Sequence, residues 1–298
     1  MKRISLFLFS LILISLYGCD IYEQDDYTEF VVLEAYAIAN RALPDVRLSN
    51  TIPAMEEYNF TDAALTEASV TVSLLNKDGS VQQDFEYRQQ AAGVYRSLDR
   101  NHLVEAGRTY RIDITFSDRQ DILSARTTVP RQFEILSDVA ESYVYQSENQ
   151  LELLLTATES DARQNIYVFN TLAREPSIEN LTPFYKDAVE NRDAELTEFL
   201  NNSSGLINEG NFEILEEQTI QLRFPWIGVA FFGENAVVTN SVDQNLADLV
   251  RSEELQLGGS TLPPGEIPNL IYNVEGGIGV FGSIATDTVI TRFVRPGS

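Results

Sequence analysis

The stretch Ser69-Val70-Thr71-Val72-Ser73-Leu74 alternates polar and apolar side chains and then meets Asn76-Lys77-Asp78-Gly79. Successive side chains of a strand point to opposite faces, so this period of two sends Val70, Val72 and Leu74 into a core. Asp-Gly supplies the backbone angles of a tight turn, and Val81 to Tyr87 completes a hairpin. The same texture extends both ways. Phe30 to Tyr36 and Val46 to Ser49 precede it; Gly93 to Arg96, Tyr110 to Phe116 and Ile122 to Val129 follow. About seven short strands with regular turn signals predict a β-sandwich over residues 30–130.

A local motif sharpens this expectation. Val104-Glu105-Ala106-Gly107-Arg108-Thr109-Tyr110 resembles the tyrosine corner of Greek-key sandwiches, in which the hydroxyl returns to a backbone group a few residues upstream. With Thr127-Thr128-Val129-Pro130 it points to a module like those of the immunoglobulin and fibronectin III folds.

From Arg131 the composition is mixed. Leu151 to Ala157, Asn165 to Phe169, Thr219 to Phe224, Ala236 to Thr239 and parts of Asn269 to Val294 read as strands. Thr182-Pro183 starts a helix, with a cap hydroxyl and a proline in the first turn, running to about Leu200. Ser241 and Gln244 form a capping box ahead of a second helix, with Val242, Leu246, Leu249 and Val250 on one face and a stop near Gly258-Gly259. Pro263-Pro264-Gly265 then breaks the chain. The expected fold is therefore mainly β with some α. The sandwich is followed, over 131–298, by a β-rich α+β domain with about two helices.

Few residues offer chemistry. Gly277-Ile278-Gly279-Val280-Phe281-Gly282 matches the dinucleotide fingerprint letter for letter, but that motif needs a helix starting at the glycines. The residues that follow, Ser283 to Thr291, are rich in β-branched side chains and read as strand. The glycines are expected to permit close packing against the second domain. His102, the only histidine, is expected in a loop before the corner. No Gly-x-Ser-x-Gly elbow occurs, and zinc chemistry lacks ligands. Adjacent carboxylates such as Glu216-Glu217 and Glu253-Glu254 are what chance gives among 45 acidic residues. No enzymatic activity and no cofactor are expected. Phe224-Pro225-Trp226 and Phe231-Phe232 form the densest aromatic region. Core packing is the default there, and Trp226, Phe231 and Phe232 are the alternative as a partner or ligand surface.

The N-terminus says where the chain goes. Met1-Lys2-Arg3, an uncharged run from Ile4 to Tyr17, and Gly18 ahead of Cys19 make a secretory signal over residues 1–18. Leu16-Tyr17-Gly18-Cys19 looks like a bacterial lipobox, with Tyr17 departing from the usual small or aliphatic residue. The resemblance implies lipidation of Cys19, the only cysteine, so no disulfide is available. Asp20-Ile21-Tyr22-Glu23-Gln24-Asp25-Asp26 follows, within a tether spanning 19–29. It reads either as a solvated spacer or as something similar to the acidic export signal of Bacteroidota surface lipoproteins. Removal of Lys2 and Arg3 leaves 19 basic against 45 acidic residues, a net charge of −26. A surface so acidic repels phosphate backbones, which sets nucleic acid aside as a partner.

One further resemblance covers nearly the whole mature chain. Pro268-Asn269-Leu270-Ile271-Tyr272-Asn273-Val274-Glu275-Gly276-Gly277-Ile278-Gly279-Val280-Phe281-Gly282-Ser283 is similar to the closing signature of a Bacteroidota lipoprotein family catalogued as domain of unknown function 4249. The Val94-Tyr95 and Gly107-Arg108-Thr109-Tyr110 stations fit the same layout. The resemblance implies an outer-membrane protein, anchored through Cys19 on the periplasmic or cell-surface face, that binds or assists beside a TonB-dependent transporter. The alternative is a structural or adhesion lipoprotein with no transported ligand. A carbohydrate-active enzyme using two carboxylates is the third reading.

Overall fold

The computed structural model of the chain describes residues 27–297, apart from 54, 118, 157–164, 216–218 and 258–268. Cys19 and the signal before it, the acidic run as far as Asp26, the pair Glu216-Glu217, and the breaks at Gly258-Gly259 and Pro263-Pro264-Gly265 lie outside the described residues.

The alternating segments all become strands: β1 (Val31–Ile38), β2 (Val46–Asn50), β3 (Ala68–Leu75), β4 (Val81–Ala91), β5 (Val94–Ser97), β6 (Thr109–Phe116) and β7 (Ile122–Thr128). A four-residue helix, α1 (Phe60–Ala63), capped by Asn59, joins β2 to β3. Gly79 takes a φ of +83° in the hairpin turn, where its N–H closes onto Asn76 O. The long β4 belongs to both layers. Residues up to Glu86 pair with β3, and Tyr87 onward pairs with β5. One sheet thus runs β1-β2-β5 and the other β3-β6-β7, with Leu33, Leu48 and Tyr95 facing Val72, Ile112 and Leu123 in a buried core.

The second half contributes β8 (Ser142–Val144), β9 (Glu152–Leu155), β10 (Ile166–Ala173), β11 (Asn201–Ser203), β12 (Ile207–Asn208), β13 (Glu213–Ile214), β14 (Ile220–Arg223), β15 (Gly233–Val242), β16 (Val274–Glu275) and β17 (Ile278–Val294). Its helices are α2 (Pro183–Asn191) and α3 (Gln244–Leu257). The chain is mainly β, with three α-helices among the described residues.

The decisive strand is β17. From Ile278 to Ile284 it lies parallel to β1. It then pairs antiparallel with β15 and, at its end, parallel with β8. The two-residue β16 adds to β7. The C-terminal signature therefore closes the N-terminal sandwich and continues as the spine of the sheet β11-β10-β15-β17, crossing the expected divide at residue 130. One apolar cluster accordingly runs through both halves, from Leu33 and Tyr110 to Phe133, Tyr167 and Phe281.

Several local expectations need correction. The helix from Thr182 ends at Asn191; Leu196–Phe199 is a separate 3-10 turn. Thr182 makes no side-chain cap, because its hydroxyl donates to Val229 O at 2.9 Å. Ser241 and Val242 stay in β15, and the helix begins at Gln244. Its cap is Asp243, whose Oδ1 accepts the Leu246 N–H at 3.0 Å. An ionised or neutral carboxyl accepts this orphan helix N–H more readily than a serine two residues too early.

Candidate functional site

The fingerprint glycines sit where backbones meet. A Cβ at Gly279, whose φ is +108°, would come within 2.1 Å of Leu33 O in β1. One at Gly276, φ +79°, would come within 2.1 Å of Ile122 O in β7. Gly282 faces Leu246 of α3. Residues 278–284 are strand, so the helix that a dinucleotide site requires is not formed. The glycines serve close packing, as expected, but against the first sandwich as well as α3 rather than against the second half alone.

The corner forms. Tyr110 is fully buried and its hydroxyl accepts the Glu105 N–H at 2.9 Å. Its own hydrogen is left to face His102 Nε2, 3.0 Å away. The histidine is a loop residue whose ring packs on Phe85 at 4.3 Å. It is engaged in structure and does not line the cleft described next.

The aromatic segment divides. Phe231 is 1% and Phe232 6% exposed, so neither ring is presented to solvent; both are core. Trp226 is half-buried, edge-on to Tyr145 and Phe293. Pro225 and Ile227 face outward here, Ile227 being 57% exposed. Of the adjacent carboxylates, Glu253 and Glu254 are exposed on α3.

Beside this segment lies a cleft of about 380 Å³ that sequence reasoning did not assemble. Its walls come from Phe169 on β10, Ile207 on β12, Leu222 on β14, and Phe224, Pro225 and Ile227 on the turn after β14. Tyr185 of α2 with Asn202, Ser203 and Ser204 supplies the polar edge. Four side chains pull the turn's carbonyls inward and so fix the cleft's shape. Tyr185 Oη donates to Ile227 O at 2.6 Å, and Thr171 Oγ1 donates to Gly228 O at 2.6 Å. Asn202 Nδ2 reaches Tyr185 Oη at 2.7 Å and Gly228 O at 3.0 Å, and Thr182 holds Val229 O. Burial pushes the Tyr185 phenol pKa up, with Asn202 acting weakly against it, so the group stays a neutral donor. The lining carries no charged side chain. Such a site suits an uncharged, largely apolar molecule, and its volume lies near the lower end of the roughly 300–1,000 Å³ of small-molecule pockets.

The sequence signal for the cleft was partial: Phe224-Pro225-Trp226 flags its rim, while Asn201-Asn202-Ser203-Ser204-Gly205 reads only as a polar loop. Among the described residues no three His, Cys, Asp or Glu side chains gather to hold a metal ion, and no helix is long and apolar enough to cross a membrane.

Comparison with solved structures gives loose likenesses. Three N-terminal domains of the highly immunogenic outer capsid protein of bacteriophage RB49 match at 10% identity and a TM-score of 0.23, covering 90% of this chain and 71% of that one. Trypsin-activated alpha-2-macroglobulin from Escherichia coli matches at 10% identity and a TM-score of 0.20, over 73% of this chain and 14% of that one. The two tandem V-type regions of VCBP3, a v-region-containing chitin binding protein, match at 8% identity and a TM-score of 0.19, over 86% and 99%. Likenesses at this level say nothing of what the chain does. No curated protein matches the sequence. A family model, in contrast, matches residues 18–290, which is nearly the whole chain, and on that match the protein belongs to the domain of unknown function family DUF4249.

Proposed function

We propose that this is a lipid-anchored outer-membrane protein of a Bacteroidota cell that works by binding, as an accessory to a TonB-dependent transporter. The lipobox-like Leu16-Tyr17-Gly18-Cys19 supports the anchor, and the family resemblance supplies the transporter as partner. The observation that carries binding is the cleft: an uncharged apolar hollow whose mouth is formed by a turn braced from Tyr185, Asn202 and Thr171. Its occupant is an uncharged, mainly apolar small molecule, oriented by the Ser203 hydroxyl at the edge, the Ser204 hydroxyl being held between the Phe169 N–H and Gly205 O.

Purification of the lipidated chain from native membranes, with mass spectrometry of what accompanies it, tests both halves. A transporter and a small uncharged molecule are expected. Ile227→Asp should lose the molecule and keep the transporter, since a carboxylate at the mouth would need a counter-ion that the lining lacks. Recovery of neither would overturn the reading.

A further inference from the structure

A second surface concerns how the molecule stands on its membrane. Tyr27, Phe30, Met55, Tyr58 and Ile122 are all exposed, Met55 at 89% and Ile122 at 67%. They share one end of the sandwich. Val31 at the start of β1 pairs with Asn50 at the end of β2, and Thr51 just beyond holds both Tyr27 Oη, at 2.8 Å, and the Phe30 N–H, at 3.0 Å. Tyr58 stands in the loop that follows β2, its hydroxyl 3.5 Å from Ser49 Oγ. Ile122 opens β7 at the same end, pairing with Thr115 near the end of β6. Arg119 ties the β6–β7 loop to this end through Asn50 Oδ1 at 3.0 Å and Glu29 at 3.2 Å, and also pairs with Asp121. Arg119 thus serves two carboxylates, and Glu56 and Glu57 stand exposed between Met55 and Tyr58, so this end shares the acidic character of the chain.

The tether enters the fold at this end, beside Tyr27, and that place points to what covers it. From Cys19 to Tyr27 a fully extended chain spans about 29 Å at most. The opposite end of the sandwich also exposes Leu98 and Leu103, but it lies a further strand length from the anchor. We infer that the end bearing Tyr27, Phe30, Met55, Tyr58 and Ile122 rests on the headgroup surface of the bilayer to which Cys19 is attached. The inference rests on the lipid-anchor reading. Tyrosines with an apolar ring and a polar tip suit that boundary, and a zwitterionic surface carries no net charge to repel this acidic end.

The same geometry lifts the cleft. Ile278 of β17 lies beside Val32, near the membrane end. Val289 of the same strand pairs with Val237, and Val237 with Thr171, whose hydroxyl braces the cleft turn. From Ile278 to Val289, at roughly 3.3 Å per residue, is about 35 Å. One strand therefore holds the cleft away from the surface.

Tryptophan quenching tests this in the full lipidated chain, reconstituted into phosphatidylcholine vesicles with brominated acyl chains. Ile122→Trp places a reporter at the membrane end and Leu98→Trp one at the far end, and the wild type has only Trp226, in the cleft region. Emission from the Ile122→Trp reporter should fall severalfold relative to non-brominated vesicles, with Leu98→Trp and wild type unchanged. Flotation with the vesicles but no quenching at position 122 would overturn the inference while leaving the anchor intact. Failure to float would remove the anchor and the inference together. Shielding of the position 122 reporter from acrylamide without vesicles, rising with protein concentration, would assign this end to a second copy and equally overturn it.

Discussion

Tyr110 and Tyr185 do similar work in the two halves, with different results. Each is buried, and each hydroxyl fastens a loop to a backbone group: Tyr110 takes the Glu105 N–H, and Tyr185 gives its proton to Ile227 O. Around Tyr110 the space is filled, with His102 against the hydroxyl and Phe85 against His102. Around Tyr185 the braced turn stands off from β10 and β14 and leaves a cleft. The first pin closes over five residues of sequence and the second over 42. A local pin can sit in a packed corner. A long-range pin holds two separate elements at a distance, and that distance is what a ligand can use.

The largest effect should come from breaking what the two regions share. Gly279→Val forces a β-branched side chain into a φ of +108° and against Leu33 O, with no flexible neighbour to yield. A loss of more than about 4 kcal/mol, or failure to fold, is expected. Because β17 pairs with both β1 and β15, both regions should melt together. Trp226 emission reports the cleft region and amide exchange at Glu105 reports the corner. Survival of native Trp226 emission while the corner exchanges freely would show the regions to be independent.

Next comes the packed pin. Tyr110→Phe leaves the Glu105 N–H and His102 without their shared partner, at a cost of roughly 1 to 3 kcal/mol. The denaturation midpoint of the full chain reads it, and an unchanged midpoint would mean that water or a loop shift replaces the hydroxyl.

The corner was legible in advance because all its determinants lie between Val104 and Tyr110, and the hairpin at Asn76–Gly79 because turn chemistry is local. What sequence hid was long-range. Nothing near Val32 announces Ile278 as its parallel neighbour, and β8, β11, β12 and β13 are too short to show a period. The glycines of the final signature were readable as sites of close approach, but not which backbone approaches. Ser241 looked like a cap because a capping box is a pattern of residue types. Tertiary pairing with β10 and β17 kept it in the strand and passed the role to Asp243. The cleft gathers residues from Phe169 to Gly228 across several elements, and of these only the aromatic segment stood out.

The open pin should matter less to stability and more to binding. In Tyr185→Phe, Asn202 and Thr171 still hold the turn, so about 1 kcal/mol is expected. The co-purifying small molecule should nevertheless be largely lost, because Ile227 O, at the mouth of the cleft, loses its 2.6 Å donor and keeps only the longer one from Asn202 at 3.2 Å. A stability loss equal to that of Tyr110→Phe would mean that the two pins are equally packed, and the contrast between them would fail.

The smallest effect belongs to the joint between the regions. Asp243 is buried at the start of α3, accepting the Thr127 hydroxyl of β7 at 2.5 Å and the Leu246 N–H. Burial pushes its carboxyl pKa above the ordinary 3.8, and the hydrogen bonds from Thr127, Leu246 and Ser283 only partly offset this. The folded chain therefore holds this proton more tightly than the unfolded chain. The contribution to stability is complete below pH 3.8 and is lost as pH rises through the raised folded value. Asp45 in the sandwich has the opposite sign. Its bidentate hydrogen bond to Arg96 lowers its pKa, so its contribution is present above 3.8 and lost as pH falls through the lowered folded value. Asp243→Asn keeps the acceptor for Leu246 and removes the titration. Unfolding free energies of variant and wild type should thus diverge in the variant's favour as pH rises above 3.8, with a slope of at most about 1.4 kcal/mol per unit. The self-repulsion of this acidic chain changes with pH in both proteins and largely cancels in the difference. Asp45→Asn should diverge the other way, more weakly, because that pair is part-exposed and screened. A flat difference for Asp243→Asn would mean that the buried carboxyl titrates at its ordinary value, with Thr127, Leu246 and Ser283 compensating its burial in full.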